Sequence, residues 1–382
     1  MFNQKSNPVC MLYRESKRRF LLLCHILGYR FLSVAILVEH ILQAFVAGGG
    51  AGGLIGVPIV LLLSRSGLPA TRIQILETVA ISAWQLKPLI GILSDAVYLG
   101  GHNKSPYMIA TCFMGIVSSV LIVGLYPVSP YHFTVLLFFV FLPIATTDLL
   151  LEARYVEKTA CSTESRPTLY SFIQFGSCFW QLMALILMGI AIHFHLPLEW
   201  FYMAPILPLT LIILLLFRDW LGERPRQPDD KDVLTNILGS FAWYRGDIPL
   251  FGIDMIKIRK NWCIFVLALL IGSISLLTSA LGLLELSTTY LFGASLVSAS
   301  VMVCAFFLLL DRRVAKLLTF VVIQNICSVS LRAATFFFYT DPIDAYPQGP
   351  HFSREFYVSV MGAVGILLAL IGVVTYDVFM IR

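Results

Sequence analysis

Long apolar runs separated by short polar segments recur along the whole chain. A helix needs about 20 consecutive, mainly apolar residues to cross a bilayer. Strands of a membrane β-barrel would instead alternate apolar and polar positions in segments of about ten residues. Ten runs reach or approach the length of a helical span: residues 31–63, 73–94, 106–126, 132–151, 169–194, 201–217, 262–283, 286–310, 314–339 and 356–380. The pattern predicts an all-α integral membrane protein, a polytopic bundle of about ten transmembrane helices.

The first run is too long for one straight crossing and carries the segment Gly-Gly-Gly-Ala-Gly-Gly at residues 48–53. One interpretation is a tightly packed helix, since small residues let neighbouring helices approach closely. The other is a break that lines a cavity, as in the discontinuous helices of transporters. The sequence alone leaves both interpretations open.

Composition agrees with a membrane protein. Of 382 residues, 58% are hydrophobic and 13% are charged, whereas a soluble domain carries about 25% charged residues. The formal net charge is +5. The basic residues are scattered at the ends of the apolar runs and are not interleaved with exposed aromatic residues, which argues against a nucleic-acid partner. The lipid bilayer is the expected environment.

The distribution of Lys and Arg predicts the orientation, because basic residues concentrate on the cytoplasmic side of membrane proteins. With the basic N-terminal segment inside, the inner loops contain Lys104, Arg154, Lys158, Arg166, Arg312, Arg313 and Lys316. The outer loops contain Arg65, Arg72 and Arg354. Both termini are therefore expected in the cytoplasm, with the plasma membrane as the expected location. Residues 20–29 are expected to form a short interfacial helix.

The longest polar stretch divides the chain into six runs and four. We predict a cytoplasmic basic segment over residues 1–30 and a six-helix membrane bundle over residues 31–217. A cytoplasmic linker follows over residues 218–260, and an incomplete bundle of about four helices over residues 261–382. Within the linker, residues 233–243 are apolar enough to lie on the membrane surface.

The sequence offers no metal, cofactor or catalytic signature. Its eight cysteines lack the spacing of metal ligands and are interpreted as free thiols. Neither a His-Glu-x-x-His motif nor a Gly-x-Ser-x-Gly motif occurs, although intramembrane enzymes need a nucleophile with its base or a metal cluster. We predict neither an enzyme nor a cofactor.

Polar side chains inside the apolar runs are the candidate functional residues, because an ionisable group at membrane depth costs about 2.5–3.5 kcal/mol on insertion scales. The first run contains Glu39, His40 and Gln43. Glu39 and Gln43 share one helix face at i, i+4 spacing. Either they form helix–helix hydrogen bonds, or they line a cavity or a proton relay.

The second run contains Gln85 and Lys87, and Asp95 lies at its predicted cytoplasmic end. Pro88 removes a backbone donor and should kink the helix. Lys87 is a candidate counter-charge for an anionic substrate; the alternative is a structural pair with a carboxylate. Asp95 is interpreted as a gate or a loop anchor.

The fourth run ends with Asp148 and Glu152 at i, i+4 spacing, followed by Arg154 and Glu157. Two carboxylates that close repel, so one has to be protonated or the two have to share a cation. Asp148 and Glu152 are the favoured candidates for proton coupling. The alternative is that residues 148–157 form the salt bridges of a helix end.

Three further polar residues give weaker signals. Arg332 lies in the ninth run, and Gln174 and Gln181 lie in the fifth. Arg332 could meet a substrate carboxylate. All three are equally compatible with contacts in the protein core, because a single polar residue in a span often makes a helix–helix hydrogen bond.

Four segments resemble a known family. Residues 84–95, Trp-Gln-Leu-Lys-Pro-Leu-Ile-Gly-Ile-Leu-Ser-Asp, are similar to the Pro-Trp-x-x-Lys-Pro-x-x-Gly-x-x-Ser-Asp signature of the folate-biopterin transporter family. Residues 100–108 resemble the loop that follows this signature. Residues 148–157 resemble an Asp-Leu-x-x-Glu-Ala-Lys-Tyr-x-Glu pattern, and residues 349–353 resemble a late loop. The similarity is greatest to the trypanosomatid pteridine and folate transporters.

The resemblance implies a fold similar to the major facilitator superfamily, with two six-helix bundles around a central site. It implies transport of folate or biopterin with protons by alternating access. The charged positions that match the family are Lys87, Asp95, Asp148, Glu152 and Arg154.

Several features depart from the family pattern. Ala83 replaces the signature proline, and Arg154 stands where lysine is common. Ten predicted spans compare with about twelve in the family. These departures leave open a shortened carrier that works as a homo-oligomer, a non-transporting membrane scaffold or regulator, or a carrier of another solute such as S-adenosylmethionine. For that cation, Asp148 and Glu152 would matter more than Lys87.

Overall fold

The computed structural model describes residues 8–49, 52–160, 165–223, 242–245, 248–284, 286–328 and 331–379. Within these residues, ten helices are long and apolar enough to cross a membrane, which confirms the prediction from the apolar runs. They are numbered span 1 to span 10 in chain order: Tyr29–Ala47, Ala70–Ala96, Ser105–Gly124, Pro130–Lys158, Arg166–His193, Leu198–Phe217, Trp262–Leu283, Thr288–Leu309, Arg312–Thr340 and Phe356–Tyr376.

An N-terminal helix, Pro8–Leu27, precedes span 1. It is longer than the short helix predicted over residues 20–29. Leu23 and Leu27 are buried in the core, and the ring of Phe20 lies 6.0 Å from that of Phe172 in span 5. Gly28, with φ +80°, separates this helix from span 1.

Span 1 is a discontinuous helix. Its first part is α-helical over Tyr29–Ala35 and its second part is π-helical over Ile36–Ala47. Gly48 and Gly49 then adopt φ values of +60° and +64°, a conformation that glycine reaches without steric cost. The chain resumes as an α-helix at Gly56–Ser64. The interpretation as a break is confirmed, and that of a single packed helix is wrong.

Span 2 changes helix type where its proline lies. It is α-helical over Ala70–Ile81, forms a 3₁₀ turn over Ser82–Leu86 and is α-helical again over Lys87–Ala96. An α-helical Pro88 would have to donate a backbone N–H to residue 84, and proline has none. The 3₁₀ turn, in which the backbone N–H of Lys87 donates to Trp84 O, places Lys87 at the start of the second α-helical part.

Three other spans are assembled from shorter pieces. Span 6 consists of the 3₁₀ turn Leu198–Met203 and the helix Ile206–Phe217. Span 9 consists of Arg312–Cys327 and Arg332–Thr340. Span 10 begins as the π-helix Phe356–Met361 and ends within the α-helix Gly362–Phe379. The short helix Met255–Lys260 leads into span 7, and span 5 lies within the α-helix Ser165–His193.

The main hydrophobic core lies among spans 1 to 6, with span 4 the most buried of the ten. Ala333 and Phe336 of span 9 and Val358 of span 10 join this core. A second, smaller core lies among spans 7 to 9 and contains Leu267 and Phe306. Spans 9 and 10 therefore pack partly on the first six spans.

A three-stranded antiparallel sheet adds to the predicted all-α architecture. Its strands are β1, Val97–Leu99, β2, Ala242–Arg245, and β3, Ile248–Ile253, in the order β1-β3-β2. Val97 pairs with Ile253. The sheet joins the end of span 2 to the segment before span 7. Of the predicted surface segment 233–243, residues 233–241 lie outside the described residues. The last two, 242 and 243, belong to β2, and their position at the membrane surface stays a prediction.

Candidate functional site

A buried ion pair joins span 2 to span 4. Lys87 Nζ donates a hydrogen bond to Asp148 Oδ2. The side chain of Asp148 is 4% exposed and that of Lys87 is 23% exposed. A buried charge needs a partner of opposite sign. Asp148 and Lys87 supply that partner to each other, and the lysine stays partly accessible.

Gln43 extends this pair to span 1. Its amide nitrogen, in the orientation that satisfies its neighbours, donates to Asp148 Oδ1 at 2.8 Å and to Glu39 Oε2 at 3.2 Å. The predicted contact between Glu39 and Gln43 is therefore present, although the helix is of the π type. Lys87, Asp148, Gln43 and Glu39 form one hydrogen-bonded chain across three spans.

His40 faces away from this chain. Its ring centroid lies 5.0 Å from that of Phe172 in span 5. A Cβ atom on Gly176 would come within 2.1 Å of His40 Nε2, so glycine at this position leaves room for the imidazole. Within the described part of the chain, the buried atoms His40 Nε2 and Glu39 Oε1 have no hydrogen-bond partner.

Glu152 lies one turn beyond Asp148 on span 4. Its Oε1 accepts a hydrogen bond from the Tyr155 hydroxyl at 3.1 Å. It lies within electrostatic range of Asp148 and Lys87. Of the three carboxylates near the lysine, those of Glu39, Asp148 and Glu152, that of Asp148 contacts it directly.

Lys87 lies on the wall of a cavity of about 1120 Å³ between span 2 and spans 7 to 9. Small-molecule sites occupy about 300–1,000 Å³, so this cavity has the size of a site for a large ligand. Trp84 and Gln85 line it beside Lys87. The facing spans contribute Ser275, Thr278, Ser279, Ser295, Ser298 and Asn325.

Two hydrogen bonds connect span 2 to span 7 at this cavity. Ser275 Oγ donates to Gln85 Oε1 at 2.8 Å, and Ser279 Oγ donates to Ser82 Oγ at 2.8 Å. These serines were not among the site residues predicted from sequence. Serine and threonine inside a span commonly bond to their own backbone, so their presence in an apolar run gives little signal.

The other predicted site residues lie elsewhere. The side chain of Asp95 is exposed, and its backbone oxygen accepts from Asn103 Nδ2 and from Lys257 Nζ, each at 3.4 Å. Arg154 pairs with Glu157 and donates to Gly222 O at 2.6 Å. The contacts of Arg154 are therefore those expected from the alternative in which residues 148–157 form the salt bridges of a helix end.

Arg332 pairs with Glu77 of span 2, with 2.9 Å between Arg332 NH1 and Glu77 Oε1. Glu77 was not among the site residues predicted from sequence. The available signal was the occurrence of two opposite charges in separate apolar runs, each of which needs a partner at membrane depth.

Glu223, also missed from sequence, caps the start of span 3. Its carboxylate accepts from the backbone N–H groups of Asn103, Lys104 and Ser105 at 2.7, 2.9 and 3.0 Å. It also accepts from Ser105 Oγ at 2.7 Å. Burial by itself raises the pKa of Glu223, but the hydrogen bonds from these residues outweigh it and hold the pKa below its usual value.

Replacing Glu223 by glutamine is expected to lower the free energy of unfolding by about 1–3 kcal/mol, because a charged acceptor is lost from a buried set of donors. Because folding lowers the pKa of Glu223, its carboxylate adds to the free energy of unfolding, and this addition is complete at a pH above the ordinary pKa of 4.5. The addition declines as the pH falls through the lowered pKa. The measurement is unfolding of both proteins in detergent micelles from neutral to acidic pH.

Asp311→Asn is the matched control, because Asp311 is exposed and its side chain makes no capping hydrogen bond at the start of span 9. Its effect should stay within about 0.5 kcal/mol. Equal stability of Glu223→Gln and wild type at neutral pH would contradict the role of the Glu223 carboxylate.

These features define a class of protein: a polytopic α-helical membrane protein with a buried charge network at the wall of a large cavity. The chain belongs to the BT1 family, whose model matches residues 51–382. The resemblance to folate-biopterin transporters is thereby confirmed.

A similar protein is the Arabidopsis thaliana "Probable folate-biopterin transporter 4", which is 30% identical over 99 residues. This match covers 25% of the present chain and 20% of the length of that relative. No solved structure matches the chain.

Proposed function

We propose that this protein is a secondary-active transporter of folates or pterins. Membership of the BT1 family and the name of the Arabidopsis relative support this function. The observation that carries the proposal is the position of Lys87, which is partly exposed on the wall of a cavity of about 1120 Å³ and is held there by buried Asp148.

The lining of the cavity suits a flat, polar heterocycle. The Trp84 ring can pack on a heterocycle, while Gln85, Ser275 and Asn325 supply hydrogen-bonding groups. A few placed polar groups in a large pocket give orientation and specificity. The carboxylate of a folate would contact Lys87, whose ammonium group has three donors.

We further infer proton coupling and alternating access. Glu39, Asp148 and Glu152 lie around a single lysine, so the network can hold a proton when the lysine binds a substrate anion. Alternating access needs two bodies that move about the site. We propose residues 31–217 and 261–382 as these bodies and residues 218–260 as their cytoplasmic linker. Both termini lie in the cytoplasm in this proposal. The protein is placed in the plasma membrane, and homo-oligomers are its working form.

A second candidate substrate is a cation such as S-adenosylmethionine. The observation in its favour is the excess of three carboxylates over one lysine in the network. A cationic substrate would compete with Lys87 for Asp148. In that case Asp148 and Glu152 would be the substrate-binding residues.

Uptake of labelled folate, biopterin and S-adenosylmethionine, in cells without their own pterin transport, tests the proposed function. We expect saturable uptake of folate or biopterin at acidic external pH. Saturable uptake of S-adenosylmethionine alone would support the second candidate. Surface expression without uptake of any of the three would contradict transport and favour a membrane scaffold or regulator.

Glu152→Gln is expected to abolish the stimulation of uptake by external acid, because glutamine cannot exchange a proton. Exchange of external for preloaded substrate should persist, since exchange needs no net proton movement. Uptake and exchange are measured at pH values on both sides of neutrality. Unchanged acid stimulation in the variant would exclude Glu152 as the coupling group, and Glu39→Gln would then be compared.

A further inference from the structure

A second cavity, of about 470 Å³, lies beside the break in span 1. Gly48 and Gly52 of the break, Gln181 of span 5, Arg332 and Tyr339 of span 9, and Tyr357 of span 10 line it. It shares no lining residue with the cavity at Lys87. Its volume lies within the range of small-molecule sites.

The glycine break shapes one wall of this cavity. The Gly48 carbonyl at the end of the helix accepts two hydrogen bonds, one from Gln181 Nε2 at 3.1 Å and one from the backbone N–H of Gly52 at 3.0 Å. A Cβ atom on Gly52 would come within 2.6 Å of the same Gln181 nitrogen. Glycine at position 52 therefore preserves both the hydrogen bond and the space beside it.

The ion pair of Arg332 with Glu77 lies between the two cavities. Arg332 lines the second cavity with its side chain 31% exposed, whereas the side chain of Glu77 is 6% exposed. Glu77 belongs to span 2, and its neighbours Gln74 and Thr78 line the cavity at Lys87. The Arg332 side chain thus borders an open space, while a buried carboxylate supplies the counter-charge of its guanidinium.

Aromatic rings line the cavity next to Arg332. Phe336 and Tyr339 share its face of span 9 at i+4 and i+7 spacing, and Tyr357 adds a ring from span 10. The rings of Tyr339 and Tyr357 lie 5.8 Å apart with an interplanar angle of 32°. Phe336 contacts Tyr357 at 5.8 Å in an edge-to-face arrangement. Tyr339 is also stacked on Phe352, with a centroid distance of 5.7 Å and an angle of 6°. A guanidinium beside aromatic rings is complementary to a ligand with one anionic and one aromatic end.

We propose that this second cavity is a binding site for an aromatic carboxylate. The guanidinium of Arg332 binds the carboxylate in exchange for Glu77, and the tyrosine rings pack on the aromatic ring of the ligand. The site lies outside the cavity proposed for transport, and its occupancy does not require that the protein transports a substrate. Because Glu77 already occupies Arg332, the glutamate competes with the ligand.

The test is calorimetric titration of the purified full chain, in detergent micelles, with 4-aminobenzoate and with its neutral amide, 4-aminobenzamide. We expect the acid to bind and the amide to bind at least about tenfold more weakly, because the charge-assisted hydrogen bonds are lost. Arg332→Gln should weaken binding of the acid by about tenfold. Glu77→Gln should tighten it by about threefold, because the competing carboxylate is removed.

Two further variants locate the site independently of the ion pair. Thr335→Trp places a large ring into the cavity that Thr335 lines and should abolish binding. Ala299→Trp places a ring of the same size into the other cavity, which Ala299 lines, and should leave the affinity unchanged. Thermal unfolding of each variant identifies any that is not folded.

Four results would overturn the proposal. They are absence of binding to the wild type, equal binding of the acid and the amide, weakening by Glu77→Gln to the same extent as by Arg332→Gln, and loss of binding in folded Ala299→Trp. Equal binding of acid and amide would point to a lipid chain or detergent tail as the natural occupant. Loss in Ala299→Trp would place the probe in the transport cavity.

Discussion

Lys87→Ala is expected to reduce uptake of folate by at least about 100-fold, because truncation of one partner of a buried charge pair costs several kcal/mol. The variant removes the cation from the cavity wall and leaves Asp148, with a side chain 4% exposed, without its ion-pair partner. Destabilisation by about 3–5 kcal/mol is expected as well, since an uncompensated charge remains buried. Uptake and surface expression are therefore measured together.

The double variant Lys87→Ala with Asp148→Asn separates transport from stability. It removes both the lysine and the uncompensated charge, so the free energy of unfolding should return towards the wild-type value. Uptake of folate should stay low, because the cavity still has no cation from residue 87. Wild-type uptake by the double variant would show that the ion pair has only a structural role.

A disulfide between residues 82 and 279 is expected to stop transport reversibly. The Ser82 and Ser279 hydroxyl oxygens lie 2.8 Å apart across spans 2 and 7, close to the approach that a disulfide needs. In the variant Ser82→Cys with Ser279→Cys, oxidation would fix the separation of two spans that alternating access has to change. We expect uptake to fall at least about tenfold on oxidation and to recover on reduction.

Each single cysteine variant serves as a control. The protein has eight native cysteines, and the described residues 24, 112, 178, 263, 304 and 327 are free thiols. The single variants should keep their uptake under the same oxidant. Confirmed formation of the 82–279 linkage, shown by mass spectrometry of linked peptides, together with full uptake would contradict movement between these spans.

The membrane spans could be predicted from sequence because each one carries its own signal. An apolar run of about 20 residues specifies a spanning helix without reference to the rest of the chain. The sheet could not be predicted in this way. β1 has three residues, too few for an alternating pattern, and its partner β3 lies about 150 residues later in the chain. Its register depends on how the bundle folds.

The break in span 1 lies between these cases. The glycines at residues 48–53 are compatible with close helix packing and with a helix end. The outcome depends on the positive φ values of Gly48 and Gly49 and on the hydrogen bond from Gln181 to Gly48 O. That hydrogen bond comes from span 5 and has no signal in the local sequence.

Charged residues of the candidate site could be predicted individually, but their partners could not. Lys87 and Asp148 are 61 positions apart, and the alternatives for Lys87 depend on which carboxylate it contacts. The charged residues that match the family lie in two places. Lys87, Asp148 and Glu152 lie near one another. Asp95 contacts the loop before span 3, and Arg154 contacts the segment after span 6. Their roles in transport stay predictions.

Counterflow by the purified full chain in proteoliposomes tests the central proposal most directly. Vesicles are loaded with unlabelled biopterin or folate and diluted into a trace of the labelled compound. We predict a transient accumulation of label above equilibrium, present with the wild type and absent with Lys87→Ala. Equal entry of label into vesicles with and without the protein, for both compounds and with the folded state verified, would contradict the assignment of this protein as a folate or pterin carrier.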